Sequence, residues 1–219
     1  MPPDFDVVGR LIRFNRLDVG DLRLLTVGFR ITDQPGEKWT ARFNQFKYGE
    51  NAAVEAAART FCGAFEGFRY GEDLRIAVVS AISSGHTTLD PRTPAARLGR
   101  ALAQSRGWEW LPGLLSKTAH PSLSSMGSAA NRDSTVDGVY SAAAISGEPG
   151  VVLVVDDFCT RGATLADIAR AIRASNPDWR VRAASLAKTE RADYWQGTLT
   201  NAHIPAVLDS AWRGVGRST

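Results

Sequence analysis

Residues 151–164, VVLVVDDFCTRGAT, pass from an apolar run through two adjacent acids into a short loop of small and hydroxylated residues. Five consecutive aliphatic residues, 151–155, are typical of a strand that is buried on both faces of a parallel sheet. In such sheets, ligands bind beyond the carboxyl ends of the strands. We therefore expect Asp156 and Asp157 to lie at the functional edge of an α/β fold.

The segment after the loop has the spacing of an amphipathic helix. Its apolar side chains recur at Leu165, Ile168, Ala169 and Ile172. Thr164 and Asp167 have the spacing of a capping box, which predicts that the helix begins at Thr164. The unpaired N–H groups and the dipole at a helix N-terminus favour an anion, so the loop is a candidate phosphate site.

The acids and the loop suit different parts of one ligand. Gly162 allows close backbone approach, and the hydroxyls of Thr160 and Thr164 can donate to phosphate oxygens. Two carboxylates would repel a phosphate, so their natural partners are hydroxyl groups or a divalent cation. A ribose phosphate satisfies both requirements, with its sugar at the acids and its 5′-phosphate in the loop.

Strand-like and helix-like segments alternate along the chain. Residues 21–48 predict an antiparallel hairpin, because two runs of strand formers flank the turn signal TDQPGE. Helices are expected over 51–65 and 93–107, and further strands over 74–83, 108–111, 180–188 and 204–212. This alternation predicts an α/β fold, a mainly parallel sheet flanked by helices with an appended N-terminal piece. The polar stretch 116–138 has no clear period and is a candidate lid or binding loop.

Composition narrows the class of protein. The 219 residues are 44% hydrophobic and 22% charged, with 26 Lys plus Arg against 23 Asp plus Glu. Such a small positive excess makes nucleic acid an unexpected partner. Two cysteines without metal-ligand spacing argue against a disulfide framework or zinc site and favour a reducing cytoplasm. Neither a signal peptide nor a membrane span is expected.

The stretch VVLVVDDFCTRGAT resembles the phosphoribosyl pyrophosphate (PRPP) signature of type I phosphoribosyltransferases. A weaker similarity to the ComF-type branch extends over FKYGEN, NRDSTVDGVYSA and SLAKTER, in that order. The chain lacks the cysteines of the ComF zinc ribbon. Its loop after the first core strand, AISSGHTTLDPRTP, also departs from the basic loop of that branch, with no Lys or Arg in SSGH.

The resemblance implies roles for individual residues. Asp156 and Asp157 would be the catalytic acids, which hold the ribose hydroxyls and, directly or through water, the cofactor Mg²⁺. The 5′-phosphate loop would comprise Phe158, Cys159, Thr160, Arg161, Gly162, Ala163 and Thr164. The pyrophosphate loop would comprise Ser83, Ser84, Gly85 and His86, with Arg92 nearby. Lys117 and Arg132 are candidate lid residues that a solvated face explains equally well.

The resemblance also divides the chain into a hood subdomain, residues 1–75, with the hairpin and a helix, and a phosphoribosyltransferase-like core, residues 76–219. The hood would select the acceptor, and Trp39 and Phe43 either seal it or stack on an acceptor base. The implied enzyme transfers a phosphoribosyl group from PRPP to a nitrogenous acceptor in nucleotide metabolism and releases pyrophosphate. A homodimer is allowed. A non-catalytic PRPP or nucleotide sensor and a ComF-like accessory protein of DNA uptake or processing stay open.

Overall fold

A central β-sheet organises the structure, a computed structural model that describes residues 5–17, 21–71, 74–118, 138–192 and 200–215. The strands in this part of the chain are β1 (Phe5–Val8), β2 (Leu11–Phe14), β3 (Leu24–Ile31), β4 (Ile76–Ser80), β5 (Glu109–Trp110), β6 (Leu115–Lys117), β7 (Tyr140–Ala142), β8 (Val151–Cys159) and β9 (Arg180–Glu190). Seven of them form one sheet in the order β1-β2-β3-β9-β8-β4-β5, and β6 pairs with β7 in a separate antiparallel hairpin. Strands β3, β9, β8, β4 and β5 run parallel, and β1 and β2 form an antiparallel extension.

Helices cover both faces of the sheet. They are α1 (Lys38–Lys47), α2 (Asn51–Ala64), α3 (Pro94–Arg106), α4 (Ala163–Ser175) and a 3-10 helix (Ala206–Trp212). The first core combines α1, α2, α3 and the 3-10 helix on one face, and the second combines α4 and the β6–β7 hairpin on the other. The predicted α/β fold, a mostly parallel sheet flanked by helices, is confirmed, and it is compatible with either a Rossmann-like or a phosphoribosyltransferase-like architecture. No helix in the described ranges combines the length and apolarity needed to cross a membrane.

The predicted hairpin over residues 21–48 is wrong in its second half. Residues 38–47 form α1, and β3 pairs with the distant strand β9. The Glu37 carboxylate accepts hydrogen bonds from the N–H groups of Trp39 and Thr40 and so caps the helix. Trp39, Phe43 and Phe46 then recur at helical spacing and are buried in the first core. The two aromatic residues singled out from the sequence therefore seal the core.

Other elements agree with the sequence more closely. Helix α3 ends at Arg106, close to the end of the helix predicted over 93–107, and Gly107 caps it in the left-handed conformation with a φ of 65°. The strand expected over 204–212 is wrong, because this segment is the 3-10 helix, which buries Leu208 and Trp212 on α2. Residues 5–31 supply three strands to the same sheet as the predicted core. The division at residue 75 into a hood and a core stays a prediction.

Candidate functional site

The carboxyl edge of the parallel sheet brings the two acids and the candidate loops to one side. The sequence places the end of the signature strand at Val155, but β8 continues to Cys159 because it stays paired with β9. Its other neighbour, β4, ends at Ser80, which pairs with Val155. Asp156 and Asp157 therefore lie beyond the end of β4 while β9 still holds their backbone.

The two carboxylates crowd each other in a half-buried position. Asp156 Oδ1 accepts from the Asp157 N–H at 2.8 Å, and Asp157 Oδ1 accepts from the Phe158 N–H at 2.6 Å. Burial raises the pKa of Asp156 well above its ordinary value, and the charge of Asp157 raises it further. The Lys117 ammonium opposes this shift in pKa only in part. Ionising both acids is thus unfavourable unless a cation or a hydroxyl donor joins them.

Changing Asp156 to Asn should stabilise the ligand-free protein at neutral pH by about 1–3 kcal/mol, because a poorly solvated charge is removed while an acceptor remains. The raised pKa of Asp156 means that folding disfavours its ionised form. The advantage of the variant should therefore grow as pH rises above about 4, the usual aspartate pKa, and vanish below it. Urea unfolding across this pH range measures the effect. A variant that is equally or less stable at neutral pH would contradict it.

The candidate phosphate loop is short and leads directly into α4. Thr160 and Arg161 are exposed, and Gly162 is buried with a φ of 96°. The first helical N–H to donate within the helix is that of Ala166, to Gly162 O at 2.8 Å. The preceding N–H groups, those of residues 163–165, have no carbonyl partner within α4, as at any helix N-terminus. The loop and α4 are therefore arranged as an anion site requires.

Two residues of the predicted loop belong to the strand instead. Phe158 lies in β8, and its ring packs against Phe43 and Phe46 of α1, with centroids 6.3 and 5.7 Å away. Cys159 is paired in the sheet and only 2% exposed. Among the predicted residues, Thr160, Arg161, Gly162, Ala163 and Thr164 are thus placed to meet a phosphate.

The predicted capping box is wrong. Helix α4 begins at Ala163 with Gly162 as its N-cap, and no side chain caps it. The buried Asp167 carboxylate instead accepts from the N–H groups of Gly138 and Tyr140, at 2.9 and 2.8 Å, and from Arg170 Nε at 2.6 Å. Tertiary contacts have replaced the local hydrogen bond, and they hold β7 against α4.

Tyr140 and Lys117 then hold the loop that follows β4. The Tyr140 hydroxyl donates to Ile82 O at 3.0 Å and accepts from the Ile82 N–H at 3.2 Å. Lys117 Nζ donates to the same carbonyl at 2.9 Å, and its side chain is 6% exposed. Burial lowers the pKa of Lys117 to about 8. A lid role does not fit this buried position, and Arg132 lies outside the described residues.

The candidate pyrophosphate loop lies beyond the carboxyl end of β4, at the same edge of the sheet as the acids. Ser83, Gly85 and His86 are exposed, and the His86 N–H donates to Ser83 O at 3.0 Å in a turn. Nearby Arg92 forms an ion pair with Asp90 at 2.8 Å, and this contact lowers the pKa of Asp90 to about 2. The Arg92 charge is therefore already partly neutralised.

Lys188 is a site residue that sequence reasoning missed, although its segment, SLAKTER, carries part of the family resemblance. It lies in β9 with 2% exposure, next to Cys159 in the sheet register. Its ammonium donates to Thr160 O and to the Glu190 carboxylate. A lysine directly after the run of small and apolar residues 183–187 was the available signal, because a charge in a buried part of a strand needs a partner. The Lys188 side chain therefore holds the backbone of Thr160 in the candidate phosphate loop.

The residues present fit a magnesium ion bound largely through substrate and water. Mg²⁺ prefers oxygen ligands and commonly takes only one or two carboxylates from the protein. Asp156 and Asp157 supply these, and their mutual repulsion would be relieved by a divalent charge. The described residues contain no group of three or more His, Cys, Asp or Glu side chains that could enclose a metal.

No protein-family model matches the chain, and no curated protein sequence matches it. Among solved structures, the protein TT1426 from Thermus thermophilus is similar over 69% of this chain and 94% of its own length. The two share 15% sequence identity, with a TM-score of 0.28. Similarity at this level carries no argument about fold or function.

Proposed function

We propose that the chain is a Mg²⁺-dependent phosphoribosyltransferase, which transfers the phosphoribosyl group of PRPP to a nitrogen acceptor. The observation that supports this most is the arrangement around β8. Two carboxylates precede a tight turn at Gly162, and the N-terminus of α4 follows it directly. Acids for sugar hydroxyls and amides for a phosphate thus lie on one β-loop-α unit, as a bound ribose 5-phosphate requires. We expect such an enzyme to act in the cytoplasm.

The proposed reaction needs no protein nucleophile. The acceptor nitrogen forms a bond to C1′ and passes its proton to solvent, while the C1′–oxygen bond breaks and its electron pair leaves with pyrophosphate. The loop 160–164 would anchor the 5′-phosphate, and Asp156 and Asp157 would orient the ribose hydroxyls. Their negative charge favours the positive charge that develops on the sugar ring. When bound, Mg²⁺ would neutralise part of the pyrophosphate charge, held by the same two acids.

A non-catalytic PRPP or nucleotide sensor is the second candidate. Residues 83–86 include no Lys or Arg where pyrophosphate would lie, and Arg92 is paired with Asp90. A protein with this loop could keep the ribose-phosphate site and lack the means to stabilise the leaving group. Turnover separates the two candidates.

Calorimetric titration with PRPP, with and without Mg²⁺, tests the proposal, followed by an acceptor screen that detects pyrophosphate. The enzyme should bind PRPP in a Mg²⁺-dependent manner and release pyrophosphate with at least one acceptor. Binding without turnover for any base, amide or ammonia would favour the sensor. Absence of PRPP binding would contradict both.

Two variants should respond oppositely to inorganic phosphate. Thr160→Ala removes a hydrogen bond to a charged ligand. It should weaken the binding of phosphate, ribose 5-phosphate and PRPP by about 1.5–3 kcal/mol each. Asp157→Asn removes a charge from the sugar end. This variant should weaken the binding of PRPP. It should leave the binding of inorganic phosphate unchanged or slightly tighter, because one charge repulsion is relieved. Calorimetric titration measures all three ligands.

The exposed Thr200 offers a matched control, since Thr200→Ala should change none of these affinities. Equal weakening of phosphate by Thr160→Ala and Asp157→Asn would contradict the proposed division between loop and acids.

A further inference from the structure

A second cavity lies at the opposite edge of the sheet from the candidate active site. Its volume is about 310 Å³, and it opens at the amino ends of β3, β9 and β8, where Leu25, Ala183 and Val151 form its floor. Phe68, Tyr70 and Leu74 form an apolar wall. Along β8, residues 152–155 lie between Val151 in this floor and Asp156.

Five arginines line this cavity, which we call the arginine pocket: Arg13, Arg23, Arg69, Arg180 and Arg182. Among the residues that the structure describes, none in its lining is acidic. Arg13 is paired with Asp6, whose Oδ1 accepts from its Nε at 3.0 Å. Within the described ranges, the other four make no ion pair with a carboxylate. Four arginines that have no ion pair in the described part of the chain therefore line one concave surface.

These charges repel one another. Burial lowers the pKa of the half-buried Arg182, and the like charges of Arg23 and Arg180 lower it further. Arginines on a solvated face normally spread apart or pair with acids, and among the five arginines of this cavity the described residues pair only Arg13. A bound anion would relieve the repulsion.

Tyr70 lines the arginine pocket through its ring and not through its hydroxyl group. The hydroxyl oxygen is buried and has no hydrogen-bond partner among the described residues. Because a ligand in the pocket does not reach this oxygen, the arginine side chains are the groups that would bind an anion.

We propose that the arginine pocket binds a compact polyphosphate group, either as free polyphosphate or as the phosphate chain of a nucleotide. Guanidinium groups donate paired hydrogen bonds to phosphate oxygens, and several of them around one small cavity match a ligand with several charges. The volume of the cavity lies at the lower end of the range for small-molecule sites. The site needs no metal, because its own cations neutralise the ligand. It is independent of PRPP binding at the carboxyl edge.

Titration of the full chain with inorganic tripolyphosphate, in low salt with EDTA, tests this site. EDTA removes Mg²⁺ and with it the metal-dependent binding proposed for the other edge. The double variant Arg23→Ala/Arg180→Ala removes two exposed pocket charges and should weaken tripolyphosphate at least about tenfold. Tyr70→Phe should change the affinity for tripolyphosphate by less than about twofold, because the buried hydroxyl does not reach the pocket. ATP as a second ligand distinguishes the sources. If ATP binds more tightly than tripolyphosphate, the natural ligand is a nucleotide. If ATP binds equally or less tightly, the natural ligand is free polyphosphate.

The double variant Arg100→Ala/Arg213→Ala is the matched control, since it removes the same charge from exposed positions outside the pocket. It should change the affinity by less than about twofold. A dissociation constant above about 1 mM for both ligands in the wild-type protein would overturn the proposal. Equal losses of tripolyphosphate affinity in the two double variants would also overturn it. So would a loss of this affinity in Thr160→Ala, because it would place the anion at the carboxyl edge of the sheet.

Discussion

Replacing Lys188 by Met should destabilise the protein by about 3–5 kcal/mol, the usual cost of removing one partner from a buried ion pair. The Lys188 side chain is almost fully buried, and its ammonium contacts both the Glu190 carboxylate and Thr160 O. Methionine matches the volume of the lysine stem but leaves the Glu190 charge without this cation. The substitution also removes the hydrogen bond from Lys188 to Thr160 O, which holds the candidate phosphate loop in place. Phosphate binding should therefore weaken.

Urea unfolding of three variants separates these effects. Glu190→Gln keeps a hydrogen-bond acceptor beside Lys188 and serves as the matched control. The double variant Lys188→Met/Glu190→Gln should recover part of the stability lost in Lys188→Met, because the remaining charge is gone. It should not recover phosphate affinity, since Thr160 O still lacks its donor. A loss below about 1 kcal/mol in Lys188→Met would show that the pair is well solvated.

Replacing Gly162 by Ala should cost about 2–5 kcal/mol and abolish phosphate binding. The residue has a φ of 96°, a conformation that L side chains rarely adopt. An added Cβ would also lie 2.6 Å from Leu17 Cδ1, so Leu17 or the loop must move. Either movement displaces the amides at the start of α4, which the proposed phosphate site needs in place.

Gly85 provides a matched control in the other candidate loop. A Cβ at Gly85 would meet nothing within 4 Å, and no strained φ applies there. Gly85→Ala should therefore change stability by less than about 1 kcal/mol and leave phosphate binding intact. Thermal or urea unfolding with phosphate titration measures both variants. Equal effects at the two glycines, or normal phosphate binding by Gly162→Ala, would contradict the assigned role of the turn.

The fold was predictable where local signals and tertiary structure agree. The apolar run of β8, the glycine turn and the periodic face of α4 each indicate one structure. The alternation of strands and helices along the chain then predicts the sheet. The strand prediction for residues 38–48 was wrong because aromatic and β-branched residues like those in this segment are also common in strands. The helical spacing of Trp39, Phe43 and Phe46, with the Glu37 cap, was the stronger signal. The final 3-10 helix depends on packing against α2, which the local pattern of 204–212 does not indicate.

The acids and the glycine of the site were predictable because their placement is local to one β-loop-α unit. Their supports were not, because each joins distant segments. Lys188 reaches Thr160 across 28 residues, and the Tyr140 hydroxyl reaches Ile82 across 58. Asp167 could be read as a helix cap, yet its carboxylate binds β7. Only the folded sheet brings these pairs together, so spacing along the chain could not identify them.

A crystal structure of the protein with ribose 5-phosphate tests the central claim most directly. The 5′-phosphate should lie at the N–H groups of residues 163–165, with Thr160 donating its hydroxyl. The ribose hydroxyls should approach the carboxylates of Asp156 and Asp157 within about 2.6–3.2 Å. A phosphate bound elsewhere, with this loop empty, or a sugar turned away from both acids would contradict the claim.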